Sequence, residues 1–164
     1  MDAARLFEEN YDALCRYLLR FTGDADAAAD AAQEAFVRLL DRAPRAESPR
    51  AWLFTVATNF ALESSRTRSR RWRLLLSGAS RVPHADAPPQ PDARVEADLD
   101  RRRVQAALLA LSEKERQALL MREEGFAQRE IAEAVGTTTG SVGTLIARAM
   151  DKLARNLHPD PEGL

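Results

Sequence analysis

The chain is poor in the residue types that disulfide-bonded, metal-binding and membrane-spanning proteins require. Its 164 residues include one cysteine, two histidines and 6% aromatic residues. One cysteine excludes an intramolecular disulfide, and no Cys/His spacing typical of a metal site occurs, so we expect neither metal nor cofactor. No apolar run approaches the ~20 residues of a membrane span, and the opening MDAARLFEEN does not have the pattern of a signal peptide. These absences predict a cytoplasmic protein without membrane insertion.

The residue arrangements of common enzymes are also missing. The sequence contains neither a glycine loop that cradles phosphate nor a Ser/His/Asp order. Cys15 stands among the leucines of a predicted helix, where cysteine is more often a small buried hydrophobe than a nucleophile. We therefore predict that the protein is not an enzyme.

Helix-forming residues dominate the amino-acid composition. Alanine, leucine, arginine and glutamate are abundant, and no strand-like alternation of apolar and polar residues is found. Four prolines fall in SGASRVPHADAPPQPD, residues 77–92, a composition typical of a flexible linker. The pattern predicts an all-α fold with two small helical domains, a three-helix unit and a helix-turn-helix unit. Its predicted parts are residues 1–76, a linker over 77–94, residues 95–158 and a tail over 159–164.

The net charge of −1 hides a marked asymmetry. Residues 1–63 carry a net charge of −4 and residues 82–164 a net charge of −3, whereas residues 64–81 carry +6. A short basic segment of this kind often contacts a polyanion, although it also serves as a solubilising tail.

The third predicted helix leads into that basic segment. Ser48 is a good N-cap and Pro49 suits the first helical position. One face of the helix, at steps of three or four residues, consists of Trp52, Thr55, Asn59, Glu63 and Arg66, and the basic residues Arg68, Arg70, Arg71 and Arg73 follow. Aromatic and polar side chains beside a basic stretch suit single-stranded or melted nucleic acid. Taken alone, Trp52 could equally seal the edge of the core.

The second predicted helix also has a distinct strip. Asp30, Gln33, Glu34 and Val37 lie at offsets of three, four and seven, opposite an alanine-rich apolar face. A mixed strip of this kind is usually solvated surface, but it can also dock a partner helix.

The segment AQREIAEAVGTTTGSVGTLIA, residues 127–147, predicts a helix-turn-helix. Ala132 is small where two helices would cross, and Gly136 stands where the chain needs a left-handed turn. Val142 and Leu145 then return at a spacing of three to pack a second helix on the first. This combination suits a helix pair that reads DNA, and the alternative is an ordinary helical hairpin.

In this order, the segments resemble an extracytoplasmic-function sigma factor, the small two-domain type of the sigma-70 family. The resemblance rests on DAAQEAFVRLL, on PRAWLFTVATNFAL with its basic tail, and on ALSEKERQALLMREEGFAQREIAEAVGTTTGSVGTLIARA, and it covers nearly the whole chain. It implies a promoter-specificity subunit that binds core RNA polymerase through the β′ clamp helices and the β flap, and that binds promoter DNA. It also implies an anti-sigma factor as a partner.

The resemblance further implies a role for each of these surfaces. The strip of Asp30, Gln33, Glu34 and Val37 matches the polymerase-docking surface of the family, and the face from Trp52 to Arg73 matches the −10 contact, where a base is flipped as strands open. Arg116 matches a basic position near the DNA backbone. The −35 contact would come from the helix pair, and its candidate residues are Thr139, Gly140, Ser141, Thr144, Arg148 and Lys152.

The predicted recognition helix departs from the family pattern. Gly143, Leu145 and Met150 stand where family members commonly have basic residues, so the −35 contact is expected to be weaker or based on shape. Two alternatives remain open from the sequence. One is a degenerate sigma-like protein that titrates an anti-sigma factor or polymerase; the other is an unrelated helix-turn-helix regulator.

Overall fold

The computed structural model describes residues 2–42, 45, 47–77 and 93–159, with side chains in the last range from residue 95 onward. Over these ranges every regular element is helical, which confirms the predicted all-α fold. The helices are α1 (Ala3–Thr22), α2 (Ala25–Asp41), α3 (Pro49–Leu76), α4 (Ala93–Leu109), α5 (Glu113–Glu123), α6 (Gln128–Val135) and α7 (Thr139–Leu157). Among them, none has the length and apolar character that crossing a membrane demands.

The first three helices form a bundle whose starts are fixed by local capping. Asp2 and Asp24 accept hydrogen bonds from the first-turn N–H groups of α1 and α2, and Ser48 caps α3 with Pro49 in its first turn. Gly23 ends α1 with φ of 70°, a conformation that glycine adopts at low cost. Buried alanines on α2 let the helices approach closely. The polar strip of α2 lies on the side of the helix that faces away from this contact.

The helix-turn-helix is formed as the sequence predicts. Ser112 and Glu115 form a capping box at the start of α5, and Gly136 follows α6 with φ of 73°. Ala127 opens α6 without a side-chain cap, and Glu130 accepts a hydrogen bond from its N–H. The buried side chains that join α6 to α7 are Ile131, Ala132, Val135, Val142, Ile146 and Ala149.

The two helical units pack directly against each other. Helices α4 and α5 contact α1, and α6 contacts α3, an arrangement that the proline-rich linker did not predict. Most of the predicted linker, residues 78–92, lies outside the described residues, as do residues 160–164 of the predicted tail.

Candidate nucleic-acid and polymerase interfaces

The predicted polar face of α3 is a continuous surface. Trp52 and Thr55 are half-buried, whereas Asn59, Glu63 and Arg66 are exposed. Trp52 packs against the core and also lines a cleft, so the core-edge role and a surface role are compatible. The Thr55 hydroxyl donates to the Ala51 carbonyl at 2.8 Å, which leaves its oxygen lone pairs for an incoming donor.

The basic end of α3 extends beyond the bundle. Arg68 donates to Asp24 at 2.9 Å and Arg66 to Glu113 at 3.3 Å. The N–H of Ala27 and the Arg68 guanidinium hold the pKa of Asp24 below its ordinary value. Within the described residues, Arg70, Arg71 and Arg73 are exposed and make no ion pair. Within the basic end of α3, these three arginines are therefore the ones left available to a phosphate backbone.

The strip on α2 faces solvent. Asp30, Gln33 and Val37 are exposed, and Glu34 pairs with Arg38 at 2.9 Å. The structure adds Leu40, which is 74% exposed one turn beyond Val37. Leu40 therefore extends the exposed apolar surface of Val37 by one turn of α2. The sequence shows that Leu40 lies three residues after Val37, but a leucine at that position is equally compatible with burial in the core.

Most of the residues of α7 that are predicted to contact DNA are exposed, but one of them is hydrogen-bonded within the protein. Thr139, Gly140, Ser141, Thr144 and Arg148 are exposed near the start and middle of the helix. Lys152, in contrast, donates to Glu115 at 2.7 Å. Lys152, together with the Ser112 N–H, holds the pKa of Glu115 below its ordinary value.

Arg116 lies away from the exposed face of α7. Its Nη1 donates to the Phe21 carbonyl of α1 at 2.8 Å, and its guanidinium lies 4.7 Å from the centre of the Phe21 ring. Burial lowers the pKa of Arg116. In this arrangement the side chain is engaged by α1, so the predicted contact with a DNA backbone needs a different position of α5 relative to α1.

Comparison with known proteins identifies both units. Residues 6–71 match the model for sigma-70 region 2, and residues 101–153 match the model for sigma-70 region 4. The chain is 34% identical over 160 residues to the ECF RNA polymerase sigma factor SigL of Mycobacterium tuberculosis (strain ATCC 25618 / H37Rv), covering 93% of this chain and 86% of SigL. The chain belongs to the extracytoplasmic-function sigma factors of the sigma-70 family. It is also 26% identical over 156 residues to the RNA polymerase sigma factor YlaC of Bacillus subtilis (strain 168), covering 93% of this chain and 90% of YlaC.

Solved sigma-factor structures share the fold. The sigma factor RpoE, solved with the anti-sigma factor NepR from Bartonella quintana, has a TM-score of 0.72 and 23% identity, covering 96% of this chain and 97% of that one. CnrH, solved with the cytosolic domain of CnrY, has a TM-score of 0.69 and 21% identity, covering 96% and 88%.

Family membership makes this chain a promoter-specificity factor of bacterial RNA polymerase, with −10 and −35 promoter elements as its targets. Sigma factors are initiation factors and not enzymes. An unrelated helix-turn-helix regulator would leave the region 2 match unexplained.

Proposed function

We propose that this cytoplasmic sigma factor binds the opened −10 strand with the face of α3. The observation that carries the proposal is the continuity of that face. Trp52 and Thr55 lead through exposed Asn59 into the arginine-rich end of the same helix. A flipped base needs a flat side chain and hydrogen-bonding groups, and its flanking phosphates need cations. The α3 face supplies these in sequence along one helix.

The other surfaces have complementary roles in this proposal. The strip of Asp30, Gln33, Glu34 and Val37 docks on the β′ clamp helices of polymerase, and Leu40 extends it. Residues 95–158 act as one unit that binds the β flap. The same unit recognises the −35 element with the exposed start of α7. Hydroxyl groups there can hydrogen-bond bases or phosphates, which partly offsets the scarcity of cations.

An anti-sigma factor completes the proposal. RpoE and CnrH, which share the fold, were solved with NepR and with the cytosolic domain of CnrY. We propose a partner of the same kind for this chain, acting on surfaces that DNA or polymerase would otherwise contact.

Run-off transcription with purified core polymerase on a genomic promoter library tests the proposal. The wild type should give discrete transcripts, and the variant Trp52→Ala/Asn59→Ala should lose them while still binding core polymerase. The matched control is Glu8→Ala/Asp12→Ala, two exposed positions on α1 outside every proposed surface, and it should transcribe like the wild type. Circular dichroism verifies that each variant is folded.

Each other outcome is informative. Full transcription by the double variant would overturn the assignment of the α3 face. A wild type that binds core polymerase but selects no promoter would favour the titrating role instead. Failure of the wild-type protein to bind core polymerase would contradict the assignment of the α2 strip as a polymerase-docking surface.

A further inference from the structure

The end of α3 exposes four large apolar side chains. Trp72, Leu74, Leu75 and Leu76 are between 46% and 75% exposed, and every residue from 65 to 77 is exposed. Apolar side chains that are scattered singly over a surface are ordinary, whereas four within five residues form a contiguous apolar end. Burial of these side chains would stabilise any complex that removes them from water.

Helical geometry places the leucines on different sides of the helix. Successive residues of an α-helix lie about 100° apart around its axis, because about 3.6 residues complete a turn. Leu74, Leu75 and Leu76, which are named the leucine tip below, therefore point in three different directions. A groove in a protein covers one side of a helix. Lipid chains surround the end of a helix, so they can cover all three leucines together.

A ring of cations precedes the leucine tip. Arg70, Arg71, Trp72 and Arg73, named the basic collar below, are consecutive and exposed, so they also surround the helix. With a rise of about 1.5 Å per residue, the middle of the leucine tip lies roughly 5 Å beyond the middle of the collar. Amphipathic helices bury their apolar side chains to about this depth below the lipid headgroups. Arginine and tryptophan suit the headgroup level itself.

The backbone at the leucine tip is capped, as a weakly polar surrounding requires. The N–H of Ser77 donates to the Arg73 carbonyl at 3.0 Å, and the Ser77 hydroxyl donates to the Leu74 carbonyl at 2.8 Å. The last carbonyls of a helix have no partner among the N–H groups of that helix. The hydrogen bond from the hydroxyl therefore lowers the cost of moving this end of α3 out of water.

Other occupants match this surface less well. Residues 78–92 contain one large aliphatic residue, Val82, a composition that offers little apolar surface to three leucines. A second copy of the chain would bring a second basic collar, and the like charges would repel. A single DNA strand stacks on aromatic side chains and pairs with arginines, but it offers the leucines no comparable apolar surface. An anionic lipid surface supplies both negative charge and apolar chains.

We propose that the leucine tip and the basic collar dock this sigma factor on an anionic lipid bilayer. The leucines enter the boundary between headgroups and acyl chains, and Arg70, Arg71 and Arg73 contact the lipid phosphates. Reversible binding of this kind combines an apolar and an electrostatic contribution, and one turn of α3 provides each. The contact is peripheral and differs from a membrane span, for which no helix in the described part of the chain has the length and apolar character.

Flotation of the full chain with lipid vesicles tests the docking. Vesicles of equal parts phosphatidylglycerol and phosphatidylcholine should bind the wild type, and vesicles of phosphatidylcholine alone should bind it far more weakly. Leu74→Gln/Leu75→Gln/Leu76→Gln should lower the partition into anionic vesicles about a hundredfold, because each leucine loses an apolar contact. Arg70→Gln/Arg71→Gln/Arg73→Gln should lower it by a similar factor, about fivefold for each cation. Equal binding to both kinds of vesicle, or to neither, would overturn the proposal.

Helix α4 offers a matched control for the leucine variant. Leu99 and Val104 are also exposed and lie beside the consecutive arginines 101–103. Leu99→Gln/Val104→Gln therefore removes apolar surface beside cations at a different place, and it should bind anionic vesicles like the wild type. A loss as large as that of the leucine variant would show that binding follows overall surface hydrophobicity, and it would contradict a site at the end of α3.

Tryptophan fluorescence locates the contact. The chain has two tryptophans, so Trp52→Phe leaves Trp72, in the basic collar, as the single fluorophore. Its emission should shift to shorter wavelength when anionic vesicles are added, since the indole leaves water for the lipid interface. Vesicles with brominated acyl chains should quench it. Binding to vesicles with unchanged Trp72 emission would place the contact elsewhere and overturn the proposal.

Binding of fluorescein-labelled oligo-dT, followed by anisotropy, separates lipid docking from nucleic-acid binding. The leucine variant should keep its affinity for this strand, because it retains every arginine of the basic collar. Parallel loss of oligo-dT and vesicle binding would show that the leucines support the fold or nucleic-acid binding, and it would overturn the lipid assignment. The vesicle measurements need neither promoter nor polymerase, so their failure is distinguishable from failure of the proposed function, which run-off transcription reports.

Discussion

The two helices assigned to DNA differ in the charge that they present. Five arginines lie within residues 66–73 of α3, an exposed segment. Arg66 and Arg68 are engaged by Glu113 and Asp24, which leaves Arg70, Arg71 and Arg73 without an ion pair among the described residues. The cations of α7 are Arg148, Lys152 and Arg155, and Lys152 is engaged by Glu115. If the proposed assignments hold, we expect electrostatic affinity to be concentrated on α3 and α7 to act mainly through hydroxyl groups and shape.

Removing the cations at the end of α3 should cause the strongest loss of DNA binding. The variant Arg70→Gln/Arg71→Gln/Arg73→Gln should lower affinity for single-stranded promoter DNA about a hundredfold near 0.1 M salt. The slope of log K against log salt should fall by about 2, since each phosphate contact on a single strand contributes about 0.7. Anisotropy titrations over a range of salt concentrations measure both quantities.

The matched control for the arginine variant neutralises equal charge away from the DNA surfaces. Arg101→Gln/Arg102→Gln/Arg103→Gln changes three exposed arginines on α4. If it lowers the salt slope as much as the α3 variant does, the net charge of the protein governs binding and the comparison between α3 and α7 fails.

A smaller effect should follow from adding a cation to α7. Met150 is 58% exposed and stands where the family pattern has a basic residue. Met150→Arg should strengthen binding to duplex −35 DNA about eightfold near 0.1 M salt, since a duplex phosphate contact contributes about 0.9 to the salt slope. Met150→Gln supplies the polar control without charge. No gain with arginine would mean that position 150 does not approach the DNA backbone.

The pairing of Lys152 with Glu115 predicts a pH-dependent contribution to folding stability. The pKa of Glu115 is lowered in the folded protein from its ordinary 4.5. The contribution of its carboxylate to stability is therefore present above that value and is lost as pH falls through the folded pKa. Glu115→Gln should therefore cost about 1 kcal/mol near neutral pH, and the difference from the wild type should vanish in acid. Urea unfolding at several pH values measures it.

A control variant and a DNA-binding measurement test the Lys152–Glu115 pair further. Glu123→Gln changes an exposed carboxylate of the same helix and should leave stability nearly unchanged at every pH. Glu115→Gln also releases Lys152, so its affinity for −35 duplex DNA should rise modestly. A constant stability difference at all pH values would show that packing, and not charge, is what Glu115 contributes.

Local signals in the sequence predicted the helices well. Ser48 with Pro49, Ser112 with Glu115, and Gly136 each act within a few residues, so their caps and turns follow from side-chain chemistry alone. The exposed face of α3 followed from helical spacing. The structure shows these positions as exposed or half-buried, whereas their contacts with DNA and polymerase stay predictions.

The packing of the two units could not be predicted in the same way. Arg50 and Glu124 meet across 74 positions, and Arg116 and Phe21 across 95. An arginine that will donate to a distant carbonyl has the same local pattern as one that faces water. The proline-rich segment breaks the chain between the units and carries no information on how they approach each other. Orientation is therefore set by a few specific contacts, which no periodicity encodes.

Replacing a glycine within α7 should change the stability of the protein only slightly. Gly143 is exposed, and a Cβ built there would meet only the end of the Gln128 side chain at 4.0 Å. Because glycine in a helix interior costs about 0.5–1 kcal/mol relative to alanine, Gly143→Ala should stabilise the protein by that amount in urea unfolding. Gly140→Ala, in the first turn of the same helix and equally unhindered, provides the comparison. If Gly143→Ala stabilises the fold yet weakens −35 binding, while Gly140→Ala leaves binding unchanged, Gly143 is where the helix backbone approaches DNA most closely. Equal −35 binding by the wild type and both variants would instead indicate that the hydroxyl groups of α7 and Arg148 determine recognition of the −35 element.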